Sequence, residues 1–260
     1  MKKIVSLVLG LLTVAAVSAQ LVSVDELVKL VKDPSVVVID ARASGDYMKT
    51  HIDGAINIDA TTLCNTTPVE GTLKPTAELA KILGGHGVTR NSKIVVYCKT
   101  GVNAGRLYWI LKYLGANDIT MLDGQMDAWF AARKPITKNV KKLAAATFTP
   151  AVNASINVNK EYVKSKMNTA VLVDSRKKED YAAGKIGNAI SIPSDDMLKG
   201  SKLKPTAELA KLFASVPKDK EVIIYCKTGV TAGFTYFVMK SILNYPNVKV
   251  YEGAWVDWNH

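Results

Sequence analysis

IVVYCKTGVNAGRLYWILKYL, residues 94–114, carries one pattern from end to end: a short β-branched run, a cysteine, a glycine-containing turn, then an apolar helical stretch. VIIYCKTGVTAGFTYFVMKSIL, residues 222–243, repeats the pattern, with CKTGV identical in both. IVVYC (94–98) and VIIYC (222–226) are continuous apolar runs of strand length, as expected of strands buried on both faces. Ala104 to Leu114 and Ala232 to Leu243 are the helices expected after them. ITML (119–122) and VKVY (248–251) return as strands, and VVVID (36–40) is a further β-branched run ended by polar residues. Strands separated by helices of this length predict an α/β fold with a mainly parallel sheet and helices on both faces. Ligands in such sheets sit beyond the carboxyl ends of the strands, where Cys98 and Cys226 fall.

The similarity extends far outside these loops. VVVIDAR (36–42) matches AVLVDSR (170–176), and HIDGAINI (51–58) matches KIGNAISI (185–192), both offset by 134 residues. KPTAELAK stands at 74–81 and again at 204–211, the cysteines are 128 apart, and LDGQMDAW (122–129) is echoed by YEGAWVDW (251–258). A two-copy repeat of this period predicts two tandem domains of one fold rather than a solenoid. The expected division is residues 20–136, a polar Ala-rich linker at 137–155, and residues 156–260.

The chain has 260 residues, a formal net charge of +11 and 48% hydrophobic residues, a composition that supports packed cores and excludes general disorder. The basic balance favours anionic partners without choosing among them. Lys2 and Lys3 followed by the apolar run Ile4 to Val17 and Val17-Ser18-Ala19 predict a signal peptide at 1–19, cleaved after Ala19. That run is short of the roughly 20 residues a membrane span needs, so export to a periplasm or beyond is expected, with no stable span after cleavage. Three cysteines are too few for a disulfide scaffold. Cys64 follows the first HIDGAINI strand and has no partner cysteine in the second copy; the alternatives are an ordinary buried thiol and a disulfide with Cys98.

The cysteine loop itself suggests chemistry. A turn through Gly101 or Gly229 lets successive N–H groups converge on the thiol, and the helix behind adds its positive end. Lys99 and Lys227 follow the cysteines directly. Such surroundings lower a thiol pKa and yield a nucleophilic thiolate in an anion-binding cradle. The structural alternative is a buried cysteine at a strand end.

On these residues the chain resembles the rhodanese family of sulfurtransferases in its tandem two-domain form. The resemblance rests on Asp40-Ala41-Arg42 and Asp174-Ser175-Arg176, the HIDGAINI and KIGNAISI segments, the six-residue loops, and the closing Asp/Glu-Gly…Trp. It implies a double displacement through a cysteine persulfide. The sulfane sulfur would come from an anionic donor such as thiosulfate, 3-mercaptopyruvate or polysulfide, and pass to cyanide or a thiol, with no metal or cofactor. Cys226 is the expected principal nucleophile and Cys98 a secondary one. Lys227, Thr228, Gly229, Val230 and Thr231, with Lys99, Thr100 and Gly101 in the first copy, would bind the donor. Arg176 and Arg42 stand where the family has an arginine near the substrate; their alternative role is an ion pair with Asp174 and Asp40.

The departures are specific. Tandem members usually keep only the C-terminal cysteine, whereas both are present. Thr100 and Thr228 replace the second of two adjacent basic residues typical of thiosulfate-selective loops. The family histidine survives as His51 but is Lys185 in the second copy. A phosphatase or arsenate reductase would need an arginine at Ala104 or Ala232. A non-enzymatic sulfur carrier or redox-sensing module would share every residue named. His51, His86 and His260 form no metal-ligand spacing, nucleic acid is not an expected partner of an exported chain, and Trp129 and Trp258 are expected as core anchors.

Overall fold

The computed structural model describes residues 20–260. The expected signal peptide lies outside them. Two five-stranded sheets, parallel at every pairing, form the centre of the two halves. The first runs Leu21–Val22, Ile119–Leu122, Lys93–Tyr97, Val36–Asp40, Ile56–Asn57 across the sheet. The second runs in the same sense: Asn157–Val158, Val248–Tyr251, Val222–Tyr225, Val171–Asp174, Ile190–Ser191. Val36–Asp40 is buried at all five positions, as a strand covered on both faces must be, and pairs residue for residue with Lys93–Tyr97.

The expected strands at 36–40, 119–122 and 248–251 are present with those bounds. The central strands stop at Tyr97 and Tyr225, leaving each cysteine just beyond the carboxyl edge. The helices after the loops begin at Val102 and Val230, two residues earlier than the apolar periodicity suggests. Gly101 and Gly229 cap them with φ of 98° and 82°, a left-handed conformation that glycine adopts without steric cost. The second helix ends at Phe237 and continues as a π-turn, Val238–Ile242.

These two helices cross and hold the halves together. A Cβ on Gly105 would strike the backbone of Phe234, and one on Gly233 would lie 2.8 Å from Arg106 Cα, so the crossing requires two glycines. Tyr108 and Phe237 meet edge to face with ring centroids 4.9 Å apart, and Tyr108 Oη lies 2.9 Å from Ser241 Oγ. Each half also sends a hairpin over the other. In the first, Cys64 and Leu73 pair antiparallel across the 64–73 loop; in the second, Leu198–Lys199 pairs with Lys202–Leu203.

Residues 138–153 contain no helix or strand and run along the first half, donating from Ala146 N to Gly84 O at 2.9 Å. His51 is fully buried here, stacked 3.6 Å from Tyr47 and set between the carbonyls of Tyr47 and Asn139. It fastens this segment rather than facing either cysteine. Trp129 is buried and donates to Pro135 O at 2.9 Å, whereas Trp258 is only half-buried against Tyr251.

Candidate active site

Cys226 opens onto a cavity of about 190 Å3. Its own loop supplies Lys227, Thr228, Val230 and Thr231, and the end of the neighbouring Val171–Asp174 strand supplies Ser175, Arg176 and Lys177. Asp180, Ser194 and Asp195 complete the lining. Ser175, Arg176 and Ser194 are buried polar residues, and Lys177, Lys227, Asp180 and Asp195 are exposed. Of these, Lys177, Asp180, Ser194 and Asp195 escape motif reading, because no spacing marks a residue brought in from a different loop.

Arg176 has a double position. Its Nε binds both oxygens of Asp174 at 3.0 Å, Nη2 reaches Asp174 Oδ2 at 2.6 Å and the Gly184 carbonyl, and Trp255 stacks 4.1 Å below Cζ. This pairing fixes the loop after the strand and leaves Nη1 outside it. Arg42 repeats the arrangement with Asp40 and Thr50 O. Burial and the paired carboxylate act oppositely on each guanidinium, and the net direction is upward, so both stay charged. The ion-pair role is therefore what the geometry displays for both arginines; only Arg176 also lines a cavity with its cysteine.

Cys98 is a different environment built from nearly the same letters. Gly101 N donates to its Sγ at 3.1 Å, the N–H cradle expected from the loop. Burial nevertheless pushes the thiol up, against the opposing backbone N–H groups of Ala104, Gly101, Thr100 and Asn103. The expectation of an easily ionised thiol fails at this cysteine, because desolvation of a buried thiolate outweighs the donors. Gln125 seals it from behind: Oε1 accepts from Cys98 N at 2.8 Å, and Nε2 donates to Leu122 O. The second half has Ala254 at that place, with the same left-handed backbone, φ 55° against 56°. Thr100 and Gly101 border a gap of only about 10 Å3, closed by Leu198, Ser201, Leu203 and Phe234 of the other half. Lys99 is exposed and does not border this gap.

Cys64 forms no disulfide; all three cysteines are free. Its Sγ lies 3.5 Å from Arg106 Nη2 and 3.8 Å from Ala60 O, a buried loop thiol rather than a partner of Cys98. Among the described residues no group of three His, Cys, Asp or Glu side chains is placed to hold a metal ion, and no helix is long and apolar enough to cross a membrane.

The sequence profile of the rhodanese-like domain matches residues 23–132 and again residues 159–260. The chain belongs to the rhodanese family. Among relatives, 3-mercaptopyruvate sulfurtransferase of Escherichia coli K12 is 28% identical over 91% of this chain and 94% of its own length. Thiosulfate sulfurtransferase of Pseudomonas aeruginosa PAO1 is 30% identical over 87% of this chain and 89% of that protein. The crystal structure of SseA from Escherichia coli, described with the rhodanese fold and mechanism of 3-mercaptopyruvate sulfotransferases, superposes with a TM-score of 0.84 at 27% identity. It covers 92% of this chain and 99% of that one. The tandem rhodanese architecture is thus shared along most of the described chain.

Proposed function

We propose that this sulfurtransferase of the rhodanese type works through Cys226. The observation that carries the assignment is the cavity at Cys226, set against the closed surroundings of the Cys98 loop. In the first half-reaction the Cys226 thiolate attacks the sulfane sulfur of the donor. The new S–S bond forms as the donor's bond to that sulfur breaks, and the leaving group (sulfite from thiosulfate, pyruvate enolate from 3-mercaptopyruvate) departs with the electron pair. In the second, a thiolate or cyanide acceptor attacks the outer sulfur of the persulfide and Cys226 leaves as thiolate. No net oxidant is needed. The N–H groups at the start of the Val230–Phe237 helix stabilise the negative sulfur in both states.

The lining carries three cations, Arg176, Lys177 and Lys227, against two carboxylates, Asp180 and Asp195. Arg176 is already paired with Asp174, so the site has little cationic excess for a doubly charged donor, and Thr228 supplies a hydroxyl where a second cation would favour thiosulfate. 3-Mercaptopyruvate is therefore the proposed preferred donor, with a thiol as acceptor. Steady-state rates with both donors on wild type, Cys98→Ser and Cys226→Ser test both parts. Cys226→Ser should lose turnover and the persulfide mass increment, and Cys98→Ser should keep them. Turnover surviving in Cys226→Ser reverses the assignment, and a higher kcat/KM for thiosulfate removes the donor preference.

Export and the unit boundaries belong to the same proposal. Protein recovered from its native cell should begin near Gln20, and intact Met1 on cytosolic protein would reject a cleaved signal. Limited trypsinolysis should cut first at exposed Lys138, Lys141 or Lys142, within the segment 137–155 that separates 20–136 from 156–260.

A further inference from the structure

Arg106 is a fully buried cation with no carboxylate partner among the described residues. It leaves the first half at the helix crossing and ends in the second. Nη1 donates to the Gly229 carbonyl at 3.0 Å, Nη2 to the Gly71 carbonyl and toward Cys64 Sγ, and the Trp109 ring lies 4.6 Å from Cζ. Nε has no partner. A buried guanidinium without a carboxylate is a poor device for stability, since its desolvation cost is large against what neutral partners return.

Its target is the residue that turns the Cys226 loop into the helix. Gly229 is the left-handed cap, and its carbonyl also accepts from Gly233 N at 3.2 Å. A trans peptide is planar, with C=O and the following N–H pointing in opposite directions. Holding the Gly229 carbonyl from the domain interface therefore turns the Val230 N–H away from that interface, toward the cavity that Val230 and Cys226 line. The internal repeat supplies the control. At the 128-residue offset Gly105 corresponds to Gly233, Gly101 to Gly229, and Arg106 to Phe234. Phe234 does approach Gly101, the mirror contact, with ring carbons 3.1 Å from where a Cβ would stand, but it offers no donor. Among the described residues the Gly101 carbonyl is held only by its own helix, through Gly105 N.

We propose that Arg106 is a positioning residue that acts across the domain interface, aiming the N–H groups of the Cys226 loop, and that the exchange of Arg106 for Phe234 makes the two loops unequal. This rests on Cys226 as the working nucleophile. The test uses the full chain carrying Arg106→Met, Arg106→Lys or, as a packing control on the same helix, Leu107→Ala. The pH midpoint of Cys226 alkylation by iodoacetamide is read by peptide mass beside kcat, KM and melting temperature. Arg106→Met should raise the midpoint by about one pH unit, as loss of N–H donors to a thiolate does, and cut kcat about tenfold or more with little change in KM. Arg106→Lys, which keeps one donor, should fall between Met and wild type, and Leu107→Ala should lower the melting temperature without moving the midpoint. If Arg106→Met does not fold, Arg106→Lys decides. A wild-type midpoint in the arginine variants, or an equal rise in Leu107→Ala, overturns the proposal. The alkylation readout needs no turnover, so it stands or falls separately from the choice of Cys226 as nucleophile.

Discussion

The loops at Cys98 and Cys226 share five of six residues, the same capping glycine conformation and the same place at a parallel sheet's carboxyl edge. They differ in what the rest of the molecule does to them. The Leu198–Leu203 hairpin and Phe234 close over the first loop, and Gln125 fills the space behind its cysteine. Over the second lies the 64–73 loop, where the Gly71 backbone rests on the Thr228 carbonyl, while Ser175, Ser194 and the Lys227 side leave room for a ligand. A thiol's chemistry thus follows from access and desolvation more than from the residues beside it in sequence.

The sharpest way to break this comparison is differential alkylation at pH 7.5. Both thiols are buried, but Cys226 lines a cavity and burial pushes the Cys98 thiol up, so Cys226 should react about 100-fold faster. Raising the pH above the ordinary thiol range should bring Cys98 into reaction. Because burial raises its folded-state pKa, the stability contributed by its neutral form is complete below the unfolded pKa and is lost as pH climbs through the folded one. Cys98→Ser should therefore flatten the alkaline limb of the stability curve. Equal labelling rates would erase the distinction between the loops.

The two crossing hairpins give the next test. Gly71→Ala must place a side chain at φ 89° and against the Thr228 backbone, whereas Gly200→Ala, at φ 64°, meets nothing within 4 Å. Left-handed strain costs each about 1–2 kcal/mol. The additional collision in Gly71→Ala should displace the Cys226 loop and lower turnover about tenfold, which Gly200→Ala should not do. A smaller effect separates the two lysines. Lys227→Ala should raise donor KM about 3- to 5-fold, the range of an exposed charge contact, and Lys99→Ala should leave it unchanged. Last, Gln125→Ala copies Ala254 into the first half. It strands the Cys98 N–H and should cost about 1–3 kcal/mol in denaturant unfolding while speeding Cys98 alkylation; unchanged alkylation would show that Gln125 does not control access.

Much of this was readable from the letters. The β-branched runs ending at Tyr97 and Tyr225, the glycines that cap the following helices, and the two-copy order of motifs all act through local geometry, so strand, turn and helix could be placed to within about two residues. The candidate cysteines were equally plain, because a thiol at a strand end before a helix is a local arrangement. Arg42 and Arg176 were ambiguous for a physical reason: an ion pair with a carboxylate two residues away and a bound anion ask for the same side chain. What only the tertiary structure decided is which thiol has space around it. That depends on Gln125 folding back under Cys98, on hairpins exchanged between halves, and on Gly105 and Gly233 letting two helices touch so that Arg106 and Phe234 each reach the other half's loop. Gln125 and Cys98 are 27 positions apart, and the contacts between the halves join residues about a hundred or more apart. Local sequence fixes a loop's conformation through its own dihedrals, but burial and access are set by whatever packs against it, and that is a property of the assembled chain.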